Sequence, residues 1–187
     1  MNSPVNSPFL APDPAPDLTV HAVDAAAAHL SDVLSTVVEH GPAHQALVVF
    51  DARTPLARAL TEGYRRNLPR GVFIDFDTVT PEAVLAAFRA MAPSDLVVLV
   101  QSTNFRLEAF RIRVELFKLG LKVIEHVHLS RMPGAQGEHY IEALAYDSDY
   151  YRGVGRALKT RIDAQLAGEA LVDQAALARV LSTLKQA

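Results

Sequence analysis

Three groups of residues carry side chains able to do chemistry, and each falls where an apolar run gives way to a polar turn. Asp51, Arg53 and Thr54 follow ALVVF, and Gln101, Ser102, Thr103, Asn104 and Arg106 follow LVVLV. Hydroxyl, amide and guanidinium groups ahead of a helix suit a small anionic or polar ligand, because the first helical amides and the helix dipole favour negative charge. The plain alternative is that Thr103 or Asn104 only caps the helix and Arg106 pairs with a carboxylate. His126 and His128 sit two apart at the end of a fourth apolar run. At strand period both imidazoles point to one face, a geometry for two metal ligands that Asp77 or Asp51 would complete. Asp75 and Asp77 flank Phe76 and form an Asp-x-Asp pair at the end of the second apolar run.

Side chains so scattered in sequence must be gathered by the fold. Apolar runs at 46–50, 71–77, 95–101 and 121–129 read as strands, and helical patterns separate them. Strands spaced by helices of this length call for a parallel sheet. All four runs are rich in Val, Leu or Ile, as expected when helices cover both faces. The expected fold is α/β, a Rossmann-like three-layer sandwich with a parallel sheet of about four to five strands. In such folds ligands collect at the carboxyl ends of the strands, where all three groups lie.

Helix punctuation is explicit in places. Asp24 reads as the cap of a first helix that Gly41-Pro42 ends. Thr54-Pro55 and Thr80-Pro81 each place a capping hydroxyl before a first-turn proline. The segment 105–119 carries two apolar stripes, one through Phe105, Ala109, Ile112, Leu116 and Leu119, the other through Phe110, Val114 and Phe117. One stripe covers the sheet; the second requires the terminal helices or a partner subunit. Residues 131–138 read as a loop, followed by a helix through Tyr151, Val154, Leu158, Ile162 and Leu166. Asp173 opens a last short helix. Gly153 and Gly155 fall inside a helical pattern and read as sites of close packing.

Composition narrows the function. Half of the 187 residues are hydrophobic, and the net charge of −3 gives no basic field for nucleic acid or anionic lipid. The apolar runs fall short of the roughly 20 residues that a membrane-spanning helix needs. Cysteine is absent, which removes disulfides and thiolate chemistry and fits a cytoplasmic protein. Residues 1–20, rich in proline, read as a disordered tail without the marks of a secretory signal, and residues 21–187 as a single domain.

Two resemblances add to this reading. The strand ending in Asp75-Phe76-Asp77, followed by a strand ending in Ser102-Thr103, resembles the haloacid dehalogenase phosphatases. That likeness implies Asp75 as nucleophile, Asp77 as general acid, phosphate bound by Ser102 or Thr103, and Lys118 or Lys122 in support. Thr78 stands where that family has glycine, and no apolar strand precedes Asp147 and Asp149. The order of elements from Ala46 to Gln165 resembles the N-terminal domain of the aminopeptidase T-like (M29 leucyl aminopeptidase) family. The matching strings are LVVLVQSTNFR, the helix end Phe117-Lys118-Leu119-Gly120, KVIEH, and the segment with Asp147 and Tyr150-Tyr151. Members are two-domain, usually dimeric metallopeptidases whose ligands lie in the C-terminal domain, so the resemblance places no catalytic residue on this chain. It implies an α/β fold and dimerisation, and it argues against independent peptidase activity.

The expectation is a non-catalytic accessory or small-ligand-binding protein, homo-oligomeric or bound to a partner protein. Its site would use Asp51, Arg53, Thr54, Gln101 to Asn104 and Arg106. No cofactor is expected, though a divalent metal on His126, His128 and Asp77 is the addition that the residues leave open. The alternative is a metal-dependent hydrolase, peptidase or phosphatase, that uses the same crevice.

Overall fold

The computed structural model describes residue 18, residues 20–105 and residues 116–169, the last four as backbone alone. Four strands form one parallel sheet: β1 (Ala46–Phe50), β2 (Val72–Asp75), β3 (Leu96–Val100) and β4 (Lys122–His126), in the order β2-β1-β3-β4. Helix α1 (Val20–Asp32) runs into a π-helical turn (Val33–Val37) before β1. Helix α2 (Pro55–Asn67) joins β1 to β2, and α3 (Pro81–Arg89) joins β2 to β3. After β4 come a 3-10 turn (Leu129–Arg131) and α4 (Ala135–Glu142), then α5 (Ser148–Glu169). The chain divides into two compact units at Tyr146, and the sheet belongs wholly to the first.

Strand alternation distributes the core to both faces of the sheet. Ala46, Val48, Leu96, Val98 and Val100 pack with Leu30, Leu56, Leu60 and Tyr64 from α1 and α2. The intervening Leu47, Val49, Val97 and Leu99 pack with Val84 and Phe88 from α3 and with Phe105 and Leu116. Burial on both faces explains why these strands read as continuous apolar runs. The result is the expected three-layer α/β sandwich. Thr54 and Thr80 cap α2 and α3 as the sequence implies, each hydroxyl accepting from the amide three residues on.

Several boundaries differ from expectation. Helix α1 begins at Val20, so Asp24 is not its cap; it lies within the helix and pairs with Arg66 at 2.6 Å. Strand β4 stops at His126 because His128 adopts a left-handed conformation with φ 57°. The expected loop at 131–138 holds the first half of α4, since Gly134, at φ 57°, turns the chain into the helix rather than breaking it. Among the described residues, a Cβ added at Gly153 or Gly155 would meet nothing within 4 Å, so neither glycine is needed for close packing against them. Of the two stripes in 105–119, Phe105 and Leu116 are buried and Phe117 is 61% exposed. Arg106, Phe110 and the rest of 106–115, the tail before Leu18 and the expected helix from Asp173 lie outside the described residues. No helix among the described residues is long and apolar enough to cross a membrane.

Candidate functional site

The parallel sheet brings the carboxyl ends of β1, β2 and β3 to one edge, and two layers of polar residues form there. The inner layer is buried and self-satisfied. Asp51 is 1% exposed; one carboxylate oxygen accepts from the Ser102 amide at 2.8 Å and the other from the Arg53 amide at 3.2 Å. Backbone donors of this kind are what let a carboxylate remain buried. The Gln101 side-chain oxygen accepts from the Phe105 amide at 2.8 Å. The Ser102 hydroxyl lies 3.0 Å from the Thr54 hydroxyl, which also caps α2. Asp51, Gln101 and Ser102 therefore lock the turns after β1 and β3 together, and the Asp51 carboxylate and the Ser102 hydroxyl are committed to protein partners.

The outer layer lines an open cleft of about 480 Å³ bounded by Arg53, Phe76, Thr103, Asn104, Phe105 and His128. Phe76 and Phe105 stack with ring centroids 4.2 Å apart and planes 13° from parallel. Sequence reasoning missed both rings as site residues: one is the spacer of Asp-x-Asp and the other follows Asn104. Only the sheet order brings them into contact. A second cavity of about 220 Å³ lies on the other side of Arg53 and is lined by Thr54, Leu129 and Met132 among others.

Arg53 is committed to Asp77. The guanidinium donates to both carboxylate oxygens, Nε at 2.8 Å to Oδ2 and Nη2 to Oδ1. This hydrogen-bonded pairing holds Asp77 below the usual carboxylate range and raises Arg53. Both side chains are substantially exposed, so solvent screens the pair and a ligand can compete for it. Asp75 turns inward on its own loop, accepting from the Asp77 amide at 3.0 Å.

The expected metal trio is not assembled. His126 is buried on the α2 face, its Nε2 2.8 Å from the Tyr64 hydroxyl and its Nδ1 2.7 Å from the Tyr140 hydroxyl. Burial pushes its pKa down to about 4 and raises both tyrosines. His128, turned by its left-handed backbone, joins the cleft instead, and Asp77 is held by Arg53. Among the described residues, no three His, Asp or Glu side chains converge in a metal-binding group. The phosphate-supporting role implied for Lys122 also fails on position. Its ammonium donates to the Val38 and Glu39 carbonyls at the opposite, amino edge of the sheet.

The cleft can thus offer donors from Thr103, Asn104, His128 and Arg53 beside an aromatic wall. Set against known proteins, the chain matches no family model, no curated relative and no solved structure.

Proposed function

We propose that this protein is a non-catalytic accessory or small-ligand-binding protein that takes a small polar or anionic molecule at the carboxyl edge of its sheet. The observation that carries this reading is the 480 Å³ cleft, where hydrogen-bonding groups converge beside the stacked Phe76 and Phe105. A few placed polar groups against an apolar wall is the usual make-up of a small-molecule site. The Arg53–Asp77 pair favours a ligand whose acidic group displaces Asp77 while its body lies along the rings. An accessory role accords with the resemblance to the M29 N-terminal domain, whose catalytic ligands lie elsewhere.

Calorimetric titration with a panel of small carboxylates, phosphate esters and nucleosides tests the reading. A hit should bind saturably and lose its affinity on His128→Ala or Asn104→Ala. A hit indifferent to both substitutions, or no hit from any class, argues against a ligand in this cleft.

Self-association belongs to the same proposal. Phe117 is 61% exposed, and Tyr151, Val154, Leu158 and Ile162 along α5 are each about half exposed. Apolar side chains left in water at helical spacing favour a second copy as cover.

A further inference from the structure

The amino edge of the sheet, opposite the cleft, carries a second polar cavity of about 390 Å³. It is lined by the segment leading into β1, which contains His40 and His44, and by the α2–β2 connection, which contains Arg70. The two imidazole centroids are 6.3 Å apart. In both rings Nδ1 is buried and has no hydrogen-bond partner among the described residues.

That detail fixes the chemistry of the other nitrogen. An imidazolium, or a neutral ring with its proton on Nδ1, would bury an unpaired N–H donor. Orphaned donors are rarer and costlier than orphaned acceptors. The favoured state of each ring is the neutral tautomer with the lone pair on Nδ1 and the proton on Nε2. Nε2–H is then the polar group each histidine offers the cavity.

The charges nearby select the partner. Lys122 and Arg70 act on His40 from β4 and from the α2–β2 connection. Asp95, before β3, acts in the opposite sense. Asp95 is engaged, accepting from the Gln45 and Ala92 amides at 2.8 Å each. Arg70 donates one N–H to the Pro42 carbonyl at 3.0 Å, which anchors its guanidinium beside the histidines. Burial and these cations lower the His40 pKa, in keeping with a neutral ring. A metal cation would meet two N–H groups and the Arg70 guanidinium; an anion would meet hydrogen-bond donors on each side.

We infer that the amino-edge cavity binds a tetrahedral oxyanion of the phosphate class, held by His40 Nε2–H, His44 Nε2–H and the Arg70 guanidinium. The source is free phosphate or the phosphate group of a small phosphomonoester.

Histidine ring ¹⁵N and ¹³C resonances, followed while inorganic phosphate is titrated at neutral pH, test this directly. Potassium chloride at matched ionic strength serves as the control. Expected are two rings with unprotonated Nδ1 and saturable shifts of both with phosphate but not chloride. Arg70→Ala should weaken binding by about tenfold or more, the loss of one charge-assisted hydrogen bond. Methyl phosphate separates the sources: equal affinity points to a phosphomonoester, its exclusion to free phosphate, and either result supports the site. Protonated Nδ1 on both rings, a chloride response equal to that of phosphate, or no saturable shift across the millimolar range overturns the inference. These ring signals come from the unmodified protein, so the outcome stands even if a variant fails to fold.

Discussion

Tyr64 and His126 are joined by a 2.8 Å hydrogen bond across 62 residues of sequence, in a part of the core where both side chains are almost fully excluded from water. Tyr140 completes the arrangement from α4, so one imidazole ties α2, β4 and α4 together through both its nitrogens. A neutral ring fits, with one nitrogen donating and the other accepting. A charged ring would be buried without a counter-ion.

Acid should therefore weaken the fold through His126. Its folded pKa, about 4, lies below the unfolded value of 6.5, so the unfolded chain takes up the proton first. The stabilisation is whole above pH 6.5 and is lost as pH falls toward 4, by about 3 kcal/mol in all. Urea denaturation across this window, compared between wild type and a Tyr64→Phe/His126→Leu double variant, isolates the contribution. Parallel pH profiles for the two proteins would refute it.

Asp51→Asn should destabilise the first unit. The carboxylate accepts from two backbone amides, whereas a carboxamide oxygen can serve only one and its NH2 group would confront the other donor. The expected loss is about 1–3 kcal/mol, read from chemical denaturation. A neutral result would mean that the turns after β1 and β3 do not depend on this bridge.

Asp77→Asn and Arg53→Ala should move ligand binding in opposite directions. Removing the Asp77 charge frees the guanidinium, so an acidic ligand of the cleft should bind more tightly to Asp77→Asn and more weakly to Arg53→Ala. Titration calorimetry at two ionic strengths checks both, because the gain should shrink with salt. Equal affinities in the two variants would remove Arg53 from the site.

Glycine-to-alanine changes should differ in sign between the two units. At Gly63 an added Cβ would lie 3.0 Å from the Leu30 Cδ1 and 3.3 Å from the Ala27 backbone nitrogen, where α1 and α2 approach. Overpacking there should exceed the helix-propensity gain of about 1 kcal/mol and lower the melting temperature. At Gly153 the space is open, so Gly153→Ala should raise the helical content of α5. Circular dichroism melts of each variant distinguish the cases.

Phe117→Glu should leave the fold intact, since the ring is 61% exposed, while reducing self-association. Light scattering after size exclusion gives the mass, and denaturation gives the stability. A large loss of stability would show that Phe117 contributes to the core of its own chain.

Much of the framework could be read before any coordinates. Strands β1 and β3 are sealed on both faces, so their sequences are unbroken apolar runs. Thr54-Pro55 and Thr80-Pro81 mark helix starts to the residue, because hydroxyl cap and first-turn proline are local chemistry. Reading failed where a local signal had a distant partner. Asp24 has the residue type of a cap, yet its partner is Arg66 on another helix. His126 and His128 looked paired by spacing, but a single left-handed residue sends them to different places. Asp51, Gln101 and Ser102 were legible as strand-end polar residues, while the backbone amides that Asp51 and Gln101 accept from and the Thr54 hydroxyl that Ser102 meets were not. His40 and His44 flank Gly41-Pro42, which the sequence marks only as a helix stop; their burial depends on segments far along the chain.

Lys122 holds the carbonyls of Val38 and Glu39, 84 and 83 residues earlier, and so clasps the end of the first helical segment to the start of the edge strand. Closing so large a loop is entropically unfavourable until the intervening strands are in place. The clasp should therefore form late in folding and open early on unfolding, making the two segments that it joins melt as one. Amide exchange at Val38 and Val123 should then report a single shared opening event rather than two independent frayings.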